Sequence, residues 1–83
     1  MIKKLELKSY YNTSDLATAT AISLFYPIDS LDKQDPRKAI FIFKKDAGFE
    51  KLLEAYWRRE LKVEPQTYFN QLKAIKHRLY SER

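Results

Sequence analysis

The longest uninterrupted apolar run of the chain lies within Lys38-Ala39-Ile40-Phe41-Ile42-Phe43-Lys44-Lys45, five apolar residues between basic flanks. Four of the five are β-branched or aromatic, which predicts a strand. Alternation puts Ile40 and Ile42 on one face and Ala39, Phe41 and Phe43 on the other. Both faces are apolar, so this strand is expected at the centre of a sheet with cover on each side.

The rest of the pattern arranges itself around that strand. Residues 1–11 alternate, with Leu5, Leu7 and Tyr11 pointing one way and Lys4, Glu6, Lys8 and Tyr10 the other. A half-buried strand with a charged outer face makes an edge. Asn12-Thr13-Ser14-Asp15 supplies capping side chains, and a short helix is predicted over residues 14–24. The run Ala17-Thr18-Ala19-Thr20-Ala21-Ile22 also alternates, so a strand competes there; the caps and alanines favour helix. Pro27 restricts residues 25–31 to an edge strand or an irregular extended segment. Asp32-Lys33-Gln34-Asp35-Pro36 is a turn by composition, which makes a hairpin of the segments on either side.

Two helices follow. Asp46 can cap the first, whose apolar residues Phe49, Leu52, Leu53, Tyr56 and Trp57 form one broad stripe. Glu54 and Arg58 stand four apart on its solvent side. Leu61-Lys62-Val63 reads as an extended connector. Pro65 after Glu64 opens a last helix to about Ser81, with Tyr68, Leu72, Ile75 and Leu79 as its buried seam. The order β-α-β-β-α-α implies an α+β fold with a small three-stranded, mostly antiparallel sheet and three helices, in one domain over residues 1–83. The helix of residues 49–57 and the seam of residues 68–79 are expected to cover one face of the central strand. The first helix would cover the other, thinly.

Composition narrows the chemistry more than it identifies it. At 83 residues a single core supplies only a few kcal/mol, and without cysteine no disulfide or thiolate metal site reinforces it. Six Tyr, five Phe and one Trp enlarge that core efficiently. A single Gly excludes a phosphate-cradling glycine loop. No apolar run reaches a membrane span, and a soluble cytoplasmic protein is expected, with no membrane partner and no cofactor.

Net charge is +5, and residues 36–45 and 57–83 each carry +4. A basic balance favours a polyanionic partner, although it also keeps small proteins in solution.

The residues Thr13-Ser14-Asp15-Leu16, Ile40-Phe41-Ile42-Phe43, Phe49, Tyr56-Trp57, Val63-Glu64-Pro65, Tyr68, Leu72-Lys73 and Lys76 together carry a resemblance. Over residues 13–81 the chain resembles a small family of short prokaryotic and viral proteins described as a domain of unknown function. These are mostly core and cap positions, so the resemblance implies a fold and brings no activity, cofactor or partner.

The best functional candidates lie near the C-terminus. Lys73, Lys76, His77 and Tyr80 fall within about 100° of one another on the last helix, beside its buried seam. Arg58, Arg59 and Lys62 end the preceding helix and would join them if the two helices pack antiparallel. Such a cluster can neutralise phosphates, and an interleaved tyrosine can stack on a base. The competing explanation is ordinary: basic side chains complement a helix C-terminus and solvate a surface. Asp29, Asp32 and Asp35 lack the spacing of a calcium loop and read as turn formers, so no metal is expected. His77 has no nucleophile or orienting acid near it in sequence, and Asp15 with Thr13 and Ser14 is a cap before it is an active site. No enzyme is expected. The leading expectation is a binding module for a protein partner, a second copy of the chain included, since Tyr10, Tyr11, Phe25 and Tyr26 exceed what a short alanine helix can cover. The alternative is a small basic nucleic-acid-binding protein that uses the last two helices.

Overall fold

The strand at the middle of the sequence pattern is also the middle of the sheet. The computed structural model describes residues 9–35 and 37–81. Its elements are β1 (Tyr10–Thr13), α1 (Leu16–Ser23), β2 (Ser30–Asp32), β3 (Ile40–Lys44), α2 (Ala47–Trp57) and α3 (Pro65–Ser81). The order β-α-β-β-α-α and the α+β class are as the pattern predicts. The sheet is β1-β3-β2, antiparallel throughout, with Tyr11 opposite Phe43 and Thr13 and Leu31 both opposite Phe41.

Each helix starts where a short acidic side chain takes up free backbone N–H groups. Asp15 accepts from the Thr18 amide at 3.3 Å, Asp46 from the Phe49 amide at 2.9 Å, and Glu64 from the Thr67 amide at 2.7 Å. Glu64 also accepts from the Thr67 hydroxyl, and these bonds hold its carboxyl below the usual range, the amide contributing most. In the last described turn of α3, Lys33 of the hairpin turn donates to the Leu79 carbonyl at 2.8 Å. A cation there complements the negative end of the helix dipole.

The core is built on one face of the sheet. Phe41 and Phe43 are buried against Ala19 and Ile22 of α1, Phe49 of α2 and Ile75 of α3. Phe49 is the hub of the rings, with Tyr26, Tyr11 and Phe43 at centroid distances of 5.0, 5.6 and 6.1 Å. Tilted and edge-on contacts of this kind add to what burial alone provides.

Three expectations are corrected. First, the observed part of the first strand is Tyr10–Thr13, so Asn12 and Thr13 belong to the sheet. Leu5 and Leu7 lie outside the described residues. Second, Asp32 belongs to β2 and not to the turn; the segment before it is irregular until the Asp29 amide donates to the Ile42 carbonyl at 2.7 Å, since Pro27 has no amide to give and Phe25 and Tyr26 fold back onto the Ile22 carbonyl.

Third, α1 does not cover the second face of the sheet. It lies on the Phe41 and Phe43 side with the other helices and packs against α2, α3 and β1, whereas α2 and α3 make no comparable contact with each other. Thr18, Ala19, Thr20, Ala21 and Ile22 are all buried as a result. A helix enclosed on most sides has no polar stripe to show, which explains its ambiguous sequence pattern. Its threonines are satisfied internally: Thr20 donates to the Leu16 carbonyl at 2.7 Å, and the Thr18 hydroxyl bonds both Asp15 and, at 3.0 Å, the Tyr56 hydroxyl.

Candidate nucleic-acid interface

Four of the seven candidate residues lie on α3 and three follow the end of α2, and both helices pack on α1 rather than along each other. The antiparallel packing that would have merged them is not what the fold adopts.

The first group runs along the outside of α3. Taking Ile75 as the inward direction, Lys73, Lys76, His77 and Tyr80 point away from the core within one arc of about 100°. All four are exposed, Tyr80 at 68%. The structure adds Phe69, 55% exposed, whose position one turn before Lys73 places it in the same arc. The Lys73 ammonium stands 5.1 Å from the centre of the Phe69 ring, a cation–π pair. From Phe69 to Tyr80 the stripe is about 16 Å long at 1.5 Å per residue. Among the described residues no carboxylate pairs with Lys73 or Lys76. Phe69 belongs neither to the buried seam nor to the basic cluster that the sequence marks on this helix. Its signal was available, since an apolar residue spaced four before a lysine on the polar arc has no core to enter.

The second group surrounds the C-terminal end of α2. The Arg58 guanidinium is committed to Glu54 at 2.9 Å, the exposed pair four residues apart that the sequence predicts. Lys62 is exposed in the connector. Arg59 is different. The Arg59 amide donates to the Tyr56 carbonyl and the Glu60 amide to the Ala55 carbonyl, the two bonds of a Schellman motif. Its left-handed position is Arg59 itself, at φ 63°. Glycine usually fills that position because a Cβ is strained there.

Arg59 lines an open cleft of about 530 Å³ together with Ala21, Tyr56, Trp57, Leu61, Val63 and Tyr68. Trp57 is a further correction. Spacing assigned it to the buried stripe of α2, yet it is 60% exposed and stands edge-on against Tyr56 at 5.0 Å. The stripe turns about 80° away from the Phe49 direction by Trp57, which carries that ring off the core. The Tyr68 hydroxyl donates to the Ala17 carbonyl at 3.2 Å, anchoring the cleft wall to α1. Burial raises the Tyr68 phenol above its usual value, with Tyr56 and Asp15 adding smaller repulsions.

The aspartates of the hairpin act locally. Asp32 and Asp35 accept from the amides of Gln34 and Arg37, each two residues on, and Asp29 pairs with Lys44 at 3.8 Å. Among the described residues no three acidic or histidine side chains gather as metal ligands, and no helix is long and apolar enough to cross a membrane.

The fold and surface define a small basic α+β protein with its helices on one side of a three-stranded sheet. The family model of DUF5659, a domain of unknown function, matches residues 8–81, and the chain belongs to that family. No curated protein matches the chain, and no solved structure does.

Proposed function

We propose that this protein is a non-enzymatic binding protein whose partner is single-stranded nucleic acid, held along the outer face of α3. One observation carries the reading: on one exposed arc the aromatic rings of Phe69 and Tyr80 flank Lys73, Lys76 and His77. Lysines contribute a sequence-independent attraction to phosphates, and exposed rings supply stacking platforms that accept any base. Dipole complementarity explains basic residues in the last turn of α3 but not Lys73 in its middle or Phe69 in its second turn.

The test is fluorescence anisotropy of a labelled mixed-sequence single strand, DNA and RNA in turn, over a range of salt. Binding is expected to weaken steeply with salt. In the double variant Lys73→Glu/Lys76→Glu the slope of log K on log salt should flatten by about 1.4, two phosphates at ~0.7 each. Phe69→Ala should cost about 1–3 kcal/mol of binding, with Tm unchanged because the ring is not in the core. Absence of binding at low salt, or binding indifferent to all three substitutions, ends this reading.

A second reading is self-association through the outer face of the sheet, and Ile40 and Ile42 favour it. Neither is fully buried, and the helical core residues all gather on the opposite face. Their cross-strand neighbours on that face are Asn12, Ser30 and Asp32, so the apolar patch is narrow. Sedimentation velocity decides it: a dimer that Ile42→Lys dissociates supports the reading, and a monomer at high micromolar concentration removes it.

A further inference from the structure

We infer that the cleft at the end of α2 is a pocket for one unstacked base of the bound single strand, with Arg59 on the phosphate beside it. This rests on the nucleic-acid reading above and extends it to a second site. Three observations converge on the cleft. Three of its seven lining residues, Trp57, Tyr56 and Tyr68, carry planar rings, and Trp57 is left 60% exposed although it is the only tryptophan in the chain. Its volume, about 530 Å³, lies within the usual range for sites that take small organic groups. Its one charged lining residue is Arg59, with no acidic side chain in the wall, so the complementary ligand is an aromatic ring that carries an anion. Among the described residues no carboxylate forms an ion pair with Arg59.

The backbone at Arg59 sharpens the assignment. A left-handed arginine stores strain that glycine would release at no cost to the Schellman motif. Helix termination therefore does not explain the arginine; a basic residue in the lining of an aromatic cleft does. Guanidinium groups bind phosphate through a planar fork of donors and also stack on rings. Tyr68 of the cleft and Phe69 of the outer stripe are consecutive residues, so the two sites adjoin at the start of α3. A strand lying along Lys76, Lys73 and Phe69 would reach the cleft with its next nucleotides.

The experiment uses the intact chain and oligothymidylate as the probe, following both anisotropy of a labelled strand and the emission of Trp57. Stacking in the cleft should quench that emission at saturation, whereas a sugar-phosphate chain without bases should bind without quenching. Arg59→Gly should keep or raise Tm while weakening binding roughly 3–10-fold and flattening the salt slope by about 0.7. Trp57→Ala, followed by the labelled strand, should weaken binding roughly tenfold or more. Salt-dependent binding with unchanged Trp57 emission overturns the cleft assignment and leaves the α3 stripe standing, as does an Arg59→Gly variant that binds like the parent. No binding at low salt overturns both.

Discussion

The two faces of the central strand are equally apolar in sequence and unequal in the folded protein. On one face Phe41 and Phe43 are fully buried under three helices. On the other, Ile40 and Ile42 are only partly buried among Asn12, Ser30 and Asp32. The difference teaches where this small protein concentrates its stability. Large rings meet large rings around Phe49, and α1, with no side chain bigger than leucine or isoleucine, lets α2 and α3 close in on the same side. A chain of this length supports one core, and among the described residues all three helices are spent on that one side.

The largest expected effect breaks the comparison directly. Phe43→Ala removes a fully buried ring and should cost about 3–5 kcal/mol, enough to leave a chain of this size largely unfolded. Ile42→Ala, the neighbouring residue on the opposite face, should cost about 1–2 kcal/mol, in proportion to its partial burial. Urea unfolding of both variants measures the contrast. Equal costs would show that the Ile42 face is as well covered as the Phe43 face, and would bring the self-association reading forward.

A smaller effect sharpens the comparison on the helical side. That side buries polar atoms as well as rings, and among the described residues each buried side-chain oxygen or nitrogen has a partner. Thr18 is the junction, bonded to Asp15 and Tyr56 and 1% exposed. Thr18→Val keeps the shape and removes the hydroxyl, so it should cost about 1–2 kcal/mol by leaving both partners short of a bond. Thr13→Val, at a less buried hydroxyl that accepts from the Asp15 amide, should cost less. If Thr18→Val proves as mild as Thr13→Val, water reaches the junction.

The smallest effect lies at the rim of the core and depends on pH. The Tyr26 hydroxyl donates to Asp46 at 2.6 Å. That bond is the main reason the Asp46 carboxyl lies below its ordinary 3.8, with the Phe49 amide next, and the main reason the Tyr26 phenol lies above its ordinary 10.0. The bond needs an ionised Asp46 and a protonated Tyr26. Asp46, being depressed, contributes stability that is present above pH 3.8 and lost as pH falls through its folded value. Tyr26, being raised, contributes stability that is present below pH 10.0 and lost as pH rises through its folded value. The Tm difference between the parent and Tyr26→Phe should therefore be greatest near neutrality and shrink on both limbs. A difference that stays constant across that range would mean the hydroxyl contributes through packing alone. The single glycine belongs to the same contact, because a Cβ on Gly48 would stand 2.7 Å from the Tyr26 hydroxyl.

Much of the fold was readable in the residues themselves. Asp15 and Asp46 cap where short acidic side chains precede apolar runs, and Ile40–Lys44 is central because neither of its flanking segments can be. The Glu54–Arg58 pair follows from spacing of four on a helix surface. The candidate surface was readable only in part. Lys73, Lys76, His77 and Tyr80 share an arc because helical geometry alone requires it. That Arg59 and Trp57 meet Tyr68 in one cleft depends on how the end of α2 and the start of α3 are arranged.

Local order, then, was determined by sequence: which segments are helices and strands, where helices begin, and which strand is central. These follow from periodicity, capping and backbone donors, which act over a few residues. Tertiary structure decided which side of the sheet the helices share, because α1 spreads small apolar and hydroxyl side chains around its whole circumference and carries no stripe to declare a direction. It also decided that Arg59 stands left-handed beside a ring-lined cleft, since that depends on the end of α2, the connector and the start of α3 meeting over Ala21.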